Sequence, residues 1–339
     1  MKTPVHLINT TGIAKIDQII CKIISLVEQY FSDRIRGYYL VGSYAVGEAV
    51  STSDIDIVIV FKEILEDEEK QKFTLIKDEC QKFSPLPVDM ILVGEAKLFR
   101  VGAIRFQSDS LLMYGEDIRA AVPIKPIQEH IRDSMYAQYS LFARVRGNPK
   151  ILTFPLDYPD PKGEFYGYDW RQIYTVDGTS HPGIKDLVLN ILSPDQALIL
   201  LKAGQYVVTG KKSQVSTQYR IWINDEWTTL VEAIDDYCRK RWAYIVPVEK
   251  DQRQLLRGLC EQALGFKNHF LAKYKEYVLT QLPQKKPFAQ LCYVKQLGQL
   301  IYPEQAIAAA LKMLQNSSNT EIRFAVAKTL QHYYNLATN

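Results

Sequence analysis

The sequence predicts an α+β protein, with a small unit of strands and helices over about the first 120 residues and a region that is helical almost throughout thereafter. Three observations predict it. Residues 13–31, "IAKIDQIICKIISLVEQYF", place Ile13, Ile16, Ile19, Ile20, Ile23, Ile24 and Val27 at helical spacing. Three short runs follow, "GYYLVG", "SDIDIVIVF" and "LPVDMILVG", whose β-branched and aromatic content suits strands. From "KDLVLNILSPDQALILLKAG" onward the apolar residues keep a helical period.

Taken in order, the helix over 13–31 turns its isoleucines to a core and "GYYLVG" (37–42) leads into the second strand run at 53–61. The charged, helix-favouring segment 63–83 separates that run from the third strand at 86–94, and the unit is expected to end near Pro123. "PIQEHIRDSMYAQYSLFARVRG" (126–147) reads as a helix. The stretch 156–183 carries Pro159, Pro161, Gly163, Gly167 and Gly178 without a sustained period, which predicts a long ordered loop or irregular hairpin. Ser193, Pro194 and Asp195 read as a helix start and Gly210 as a stop, with further helices at about 226–242 and 250–279. The tail reads as a helix pair around a Ser/Asn turn at 316–319. The expected domains are therefore 1–122, a helical domain 123–285 with an irregular insert at 151–184, and a C-terminal helical extension 286–339.

Bulk properties exclude more than they name. A chain of 339 residues, 47% hydrophobic and 23% charged, has enough apolar surface for real cores. With 41 basic against 38 acidic residues the formal charge is +3, far from the dense positive field of a chain held to nucleic acid through its phosphates. Five cysteines, at 21, 80, 238, 260 and 292, lack CxxC spacing, which argues against a zinc ribbon or a disulfide scaffold. Reduced thiols, no apolar leader and no run of about 20 apolar residues point to a cytoplasmic protein that is neither exported nor embedded. His130, His181 and His269 are too dispersed to support a metal or a triad.

The chemistry concentrates in residues 38–60, "YYLVGSYAVGEAVSTSDIDIVIV". Side chains alternate along a strand, so Asp54 and Asp56 are expected on one face and Ile55, Ile57 and Ile59 on the other. Two carboxylates so close repel unless a cation lies between them, and hard oxygen ligands suit Mg²⁺. Asp89 interrupts the next apolar strand, where a charge is costly unless paired or metal-bound. Three acids on neighbouring strands would form a platform for one or two metal ions. Gly42 and Ser43 close the first strand and open a short helical turn, whose free N–H groups and hydroxyl suit a phosphate. Ser53 offers a further hydroxyl at the same mouth.

"GSYAVGEAVSTSDIDIVIV" resembles the signature of the polymerase β-like nucleotidyltransferases, a Gly-Ser followed by an Asp-x-Asp strand, with Asp89 where that superfamily places its third acid. The resemblance implies a nucleotidyltransferase fold, a small mixed sheet flanked by helices, and metal-binding and catalytic roles for Asp54, Asp56 and Asp89. "SLLMYGEDIR" (110–119) and "LLKAGQYVVTGKKSQVS" resemble segments of streptomycin/spectinomycin-type aminoglycoside adenylyltransferases. That group shows a Gly-Lys and then a Ser-Lys pair whose lysine reaches the nucleotide phosphates. Here the stretch reads Gly210, Lys211, Lys212, Ser213, Gln214, which leaves Lys211 or Lys212 for the role.

The expected activity is Mg²⁺-dependent transfer of AMP from ATP to a hydroxyl of a small acceptor, with pyrophosphate released. Asp89 would help ligate a second ion or act as general base, and Glu95 is an alternative base. The acceptor would lie between the two domains. Asp157, Asp160, Glu164, Asp169 and Asp177 beside Tyr158, Phe165, Tyr166, Tyr168 and Trp170 would suit a polycationic, sugar-like acceptor, and equally an ordinary loop packed down by its rings. Competing readings are a nucleotide second-messenger synthase, a toxin-neutralising nucleotidyltransferase acting on protein or RNA, and a nucleotide-binding regulatory module without turnover.

Overall fold

The computed structural model of the protein describes residues 5–176, 178–207, 211–284, 286–302 and 304–337. The chain divides into two compact units, Met1–His130 with Tyr206–Val215, and Ile131–Gln205 with Ser216–Asn339.

The first unit is built on a mixed four-stranded sheet. Its elements run α1 (Ala14–Phe31), β1 (Ile35–Val41), α2 (Gly42–Ala45), β2 (Ile55–Phe61), α3 (Asp67–Phe83), β3 (Val88–Gly94), α4 (Glu95–Val101), α5 (Ile104–Asp109) and β4 (Leu111–Gly115). The strand order is β3-β2-β1-β4, with β2 and β3 parallel and the other pairs antiparallel. The period-2 alternation of β2 splits its side chains between two cores. Ile55, Ile57, Ile59 and Phe61 pack with the isoleucines of α1 and with Phe73, Ile76 and Cys80 of α3. Val58 and Val60 join Tyr39, Leu98, Phe106 and Leu112 on the other side. At roughly 25 cal/mol per Å² of apolar area, isoleucines of α1 such as Ile20, Ile23 and Ile24, each fully buried, are what hold that helix to the sheet.

In the second unit α6 (Ile127–Arg144) leads through the short strand β5 (Leu152–Thr153) to the hairpin of β6 (Gln172–Val176) and β7 (Thr179–Gly183). Then come α7 (Lys185–Ala203), α8 (Ser213–Trp222), which enters this unit at Ser216, α9 (Thr228–Ala233), a π-helical stretch Ile234–Arg241, and the long α10 (Lys250–Gln281). The tail comprises α11 (Pro287–Leu297), β8 (Leu300–Ile301), α12 (Gln305–Lys312) and α13 (Thr320–Ala337), with β8 pairing in parallel with β5. The Ser/Asn turn before α13 is as the sequence predicts.

Two sequence expectations are corrected here. Pro194 does not begin a helix: it lies inside α7, which starts nine residues earlier at Lys185. Proline in a helix interior costs about 3 kcal/mol. The helix continues because its residues are buried on both sides of the proline, Leu187, Val188 and Ile191 before it and Ala197, Leu198 and Ile199 after it, where it packs against α10. The stop of α7 is Gly204, in the left-handed conformation with its N–H donating to the Leu200 carbonyl, as helix-ending glycines do. Gly210 lies outside the described residues.

The insert is a packed loop ending in the hairpin. Phe165, Tyr166 and Tyr168 are buried, Tyr158 stacks on Tyr166 at 4.2 Å, and Glu164 accepts from Arg253 at 2.9 Å. The Asp160 carboxylate accepts the Lys162 amide. These contacts pack the loop on itself and against α10, while Trp170 is exposed and Asp177 lies outside the described residues.

Candidate active site

The sheet order decides what meets at the end of β2. As a central strand, β2 pairs with β1 so that Val41 lies opposite Asp56, and with β3 so that Asp56 lies opposite Asp89. Asp54 stands just before the first residue of β2. Because Ile55 and Ile57 point into the core under α1 and α3, Asp56 projects from the opposite face, at the strand end where β1 passes into the Gly-Ser turn.

Gly42 begins α2 with φ +71. A Cβ there would collide with a carboxylate oxygen of Asp56, so glycine is required twice over, by the backbone angle and by the acid lying against it. Ser43 and Tyr44 complete the turn, and the Glu48 amide donates to the Ser43 carbonyl at 2.8 Å. Ser53 is buried. Its hydroxyl accepts the Val50 amide at 2.9 Å and its own amide donates to the Val50 carbonyl, so it shapes the loop that delivers Asp54. Burial pushes the Tyr44 phenol above its ordinary range, and the neighbouring Asp54 charge adds to the shift.

Asp89 departs from the expectation of a buried charge. β3 is an edge strand and Asp89 is exposed. Its Oδ1 accepts from Lys77 Nζ of α3 at 2.8 Å, an exposed pair that contributes little to stability. Register thus sets Asp56 and Asp89 side by side along the backbone, while Lys77 holds the third carboxylate. Among the described residues no three His, Cys, Asp or Glu side chains form a group that could hold a metal ion. Glu95, the alternative base, opens α4 and accepts from Arg36 Nε at 3.0 Å. That bond occupies the carboxylate in an ion pair and leaves it poorly placed to act as a base.

The donor chemistry nevertheless fits a hard divalent cation. Asp54 and Asp56 supply carboxylate oxygens two residues apart, and the Asp56 carboxylate lies in the space that a side chain at Gly42 would fill. Lys211 is exposed and Lys212 half-buried, just before α8, in the stretch that belongs to the sheet-bearing unit.

A family model for the nucleotidyltransferase domain matches residues 20–114, the span holding β1 to β3, all but the last residue of β4, and all three acids. This part of the chain is a nucleotidyltransferase domain of the polymerase β-like kind. The protein is accordingly an enzyme of the transferase class, and its α+β architecture agrees with the sequence reading. The chain is also similar to the solved spectinomycin adenyltransferase AAD(9) from Enterococcus faecialis, determined with ATP and spectinomycin, at 12% identity and a TM-score of 0.46 over 75% of this chain and 98% of that one. No curated protein matched the sequence. Among the described residues no helix is long and apolar enough to cross a membrane.

Sequence reasoning missed Lys77 and Glu48. Lys77 is one of several lysines on a charged helix, and nothing local distinguishes it. Glu48 sits inside the motif itself, and an acid between a phosphate-type turn and an Asp-x-Asp strand was the available signal.

Proposed function

We propose that the protein transfers AMP from ATP to a hydroxyl of a small acceptor and releases pyrophosphate. One observation carries the reading: the Asp56 carboxylate lies against the backbone of Gly42, so oxygen donors for a cation and the N–H groups of a phosphate-type turn share one point. Asp54 and Asp56 would hold Mg²⁺, with Asp89 joining them once it leaves Lys77. When bound, the ion neutralises charge on the triphosphate as the α-phosphorus is attacked. Gly42 and Ser43 receive phosphate oxygens, Ser53 keeps the loop closed behind Asp54, and Lys211 and Lys212 supply positive charge to the leaving pyrophosphate.

The test is pyrophosphate release from ATP with a panel of hydroxylated acceptors, aminoglycosides included, with and without Mg²⁺. Asp54→Asn and Asp56→Asn are each expected to lower the rate by about 1,000-fold or more, since charge stabilisation of this kind is a dominant catalytic contribution. Both variants should keep the fold, because each removes one of two neighbouring like charges. Unchanged turnover in either would refute the assignment. Oligonucleotide products from ATP or GTP alone would point to a second-messenger synthase, a labelled protein or RNA to a macromolecular acceptor, and ATP binding without pyrophosphate release to a regulatory module.

A further inference from the structure

The segment Tyr206–Val215 follows α7 in sequence yet belongs to the sheet-bearing unit. Its described parts are fastened at both ends. The Tyr206 hydroxyl donates to the Lys125 carbonyl, and its ring lies 5.2 Å from that of His130. At the other end the Ser213 hydroxyl donates to one carboxylate oxygen of Glu48, and the Ser213 amide donates to the other at 3.3 Å.

Glu48 is itself anchored, since its amide donates to the carbonyl of Ser43. One residue therefore ties the Gly-Ser turn, through its backbone, to the start of α8, through its side chain, across 165 positions of sequence. Ser213 is the first residue of α8, where helix N–H groups lack intrahelical partners and a carboxylate is favoured by the helix dipole. Lys211 and Lys212 come immediately before it, and their carbonyls accept the amides of Gln214 and Val215 at 3.2 and 3.0 Å. The two lysines are thus fixed in the turn that Glu48 grips. A carboxylate this near a phosphate-type turn would repel a triphosphate. Two donors from Ser213 draw its charge instead onto the helix end.

We propose that Glu48 is a positioning residue: with Ser213 it clasps the lysine-bearing segment to the Gly-Ser turn and so holds Lys211 and Lys212 where a triphosphate would bind. The proposal rests on the transfer reading above and adds to it a specific clasp that the Asp-x-Asp motif does not contain.

The experiment compares the full-length protein with Glu48→Ala, Glu48→Gln, Ser213→Ala and the Glu48→Ala/Ser213→Ala double variant. Affinity for MgATP is measured by calorimetry and amide hydrogen exchange is followed over 211–215. Glu48→Ala and Ser213→Ala are each expected to weaken MgATP binding by about tenfold and to speed exchange in that segment, and the double variant should be no weaker than the singles, because the pair acts as one unit. In turnover the KM for ATP rises and kcat falls with it, because the displaced lysines also face the leaving pyrophosphate. Glu48→Gln keeps an acceptor for the Ser213 hydroxyl and should recover most of the affinity, an outcome that a merely structural role for the charge would not produce. Should Glu48→Ala fail to fold, Ser213→Ala, which removes a single hydroxyl, carries the same comparison. Wild-type affinity in Glu48→Ala, or losses that add in the double variant, would overturn the clasp. If the wild-type protein fails to bind MgATP, the transfer reading falls and the positioning role with it, whereas faster exchange at 211–215 in Glu48→Ala would still establish the contact itself.

Discussion

Gly42→Ala separates backbone strain from damage to the site. The glycine has φ +71, and placing an L-residue there costs roughly 1–2 kcal/mol. The added Cβ also meets the Asp56 carboxylate, with an oxygen as the nearest atom and Cγ next at 3.2 Å. The end of a side chain can swing away, so the collision adds little to the stability loss but moves the acid proposed to hold the cation. A displacement of about 1 Å at a reacting centre can lower a rate 100-fold. The expected result is therefore a small shift in the urea midpoint, corresponding to about 1–2 kcal/mol, with Mg²⁺-dependent pyrophosphate release reduced by about 100-fold or more. The Asp56→Ala background supplies the control. There the stability cost of Gly42→Ala should be nearly unchanged, because the backbone angle causes most of it. A variant with normal turnover would refute the placement of Asp56 at the reacting centre. A stability loss of several kcal/mol that vanishes in the Asp56→Ala background would show that the clash, and not the angle, dominates.

Two other substitutions test separate parts of the structure. Lys77→Met releases Asp89; the exposed pair should change stability by at most about 1 kcal/mol, while the Mg²⁺ concentration giving half-maximal rate falls. An unchanged Mg²⁺ requirement would count against Asp89 joining the ion, and a displaced pH–rate profile would assign it to proton transfer. Asp195, in the middle of α7, is fully buried with neither carboxylate oxygen hydrogen-bonded, and burial, with the nearby Asp225 charge, raises its carboxyl well above the ordinary range. The folded state therefore keeps this proton at pH values where the unfolded chain has lost it, so wild-type stability falls as pH rises from the unfolded pKa toward the folded one. Asp195→Asn should remove that loss, gaining on wild type by up to about 1.4 kcal/mol per pH unit above the ordinary carboxylate range; parallel stability curves from pH 4 to pH 7 would sink this reading.

What the sequence made legible was local. The isoleucine period of α1 and the β-branched runs of β1 to β3 follow from side-chain spacing alone, and Asp54 and Asp56 stood out because they interrupt one of those runs. The start of α7 was misread because Pro194 is a local signal and the packing that overrides it comes from α10, more than fifty residues on. Asp89 was expected to be a buried charge because "PVDMILV" reads as an interior strand. Whether a strand lies at the centre or the edge depends on sheet order, which no single run encodes. Lys77 and the Glu48–Ser213 contact were invisible for the same reason: each partner is an ordinary residue until the chain folds it beside the other.

The sheet order also explains why one lysine guards the third acid. Only a central strand can touch both the strand that runs into Gly42 and the strand that carries Asp89, and β2 holds that place. Its pairing with β3 is parallel, and a parallel pair needs a crossover that returns the chain to the same end of the sheet. Here the crossover is α3, whose apolar side lies under β2 through Phe73, Ile76 and Cys80. The turn after α3 is short, so its last turns must end close to the first residues of β3, where Asp89 lies one residue past the strand start. A lysine on the solvent side of those turns then reaches round the edge strand to the carboxylate. The Lys77–Asp89 pair is thus a geometric consequence of the same parallel connection that sets Asp89 beside Asp56. A change at Lys77 should accordingly alter how the acids are used without altering where the strands lie.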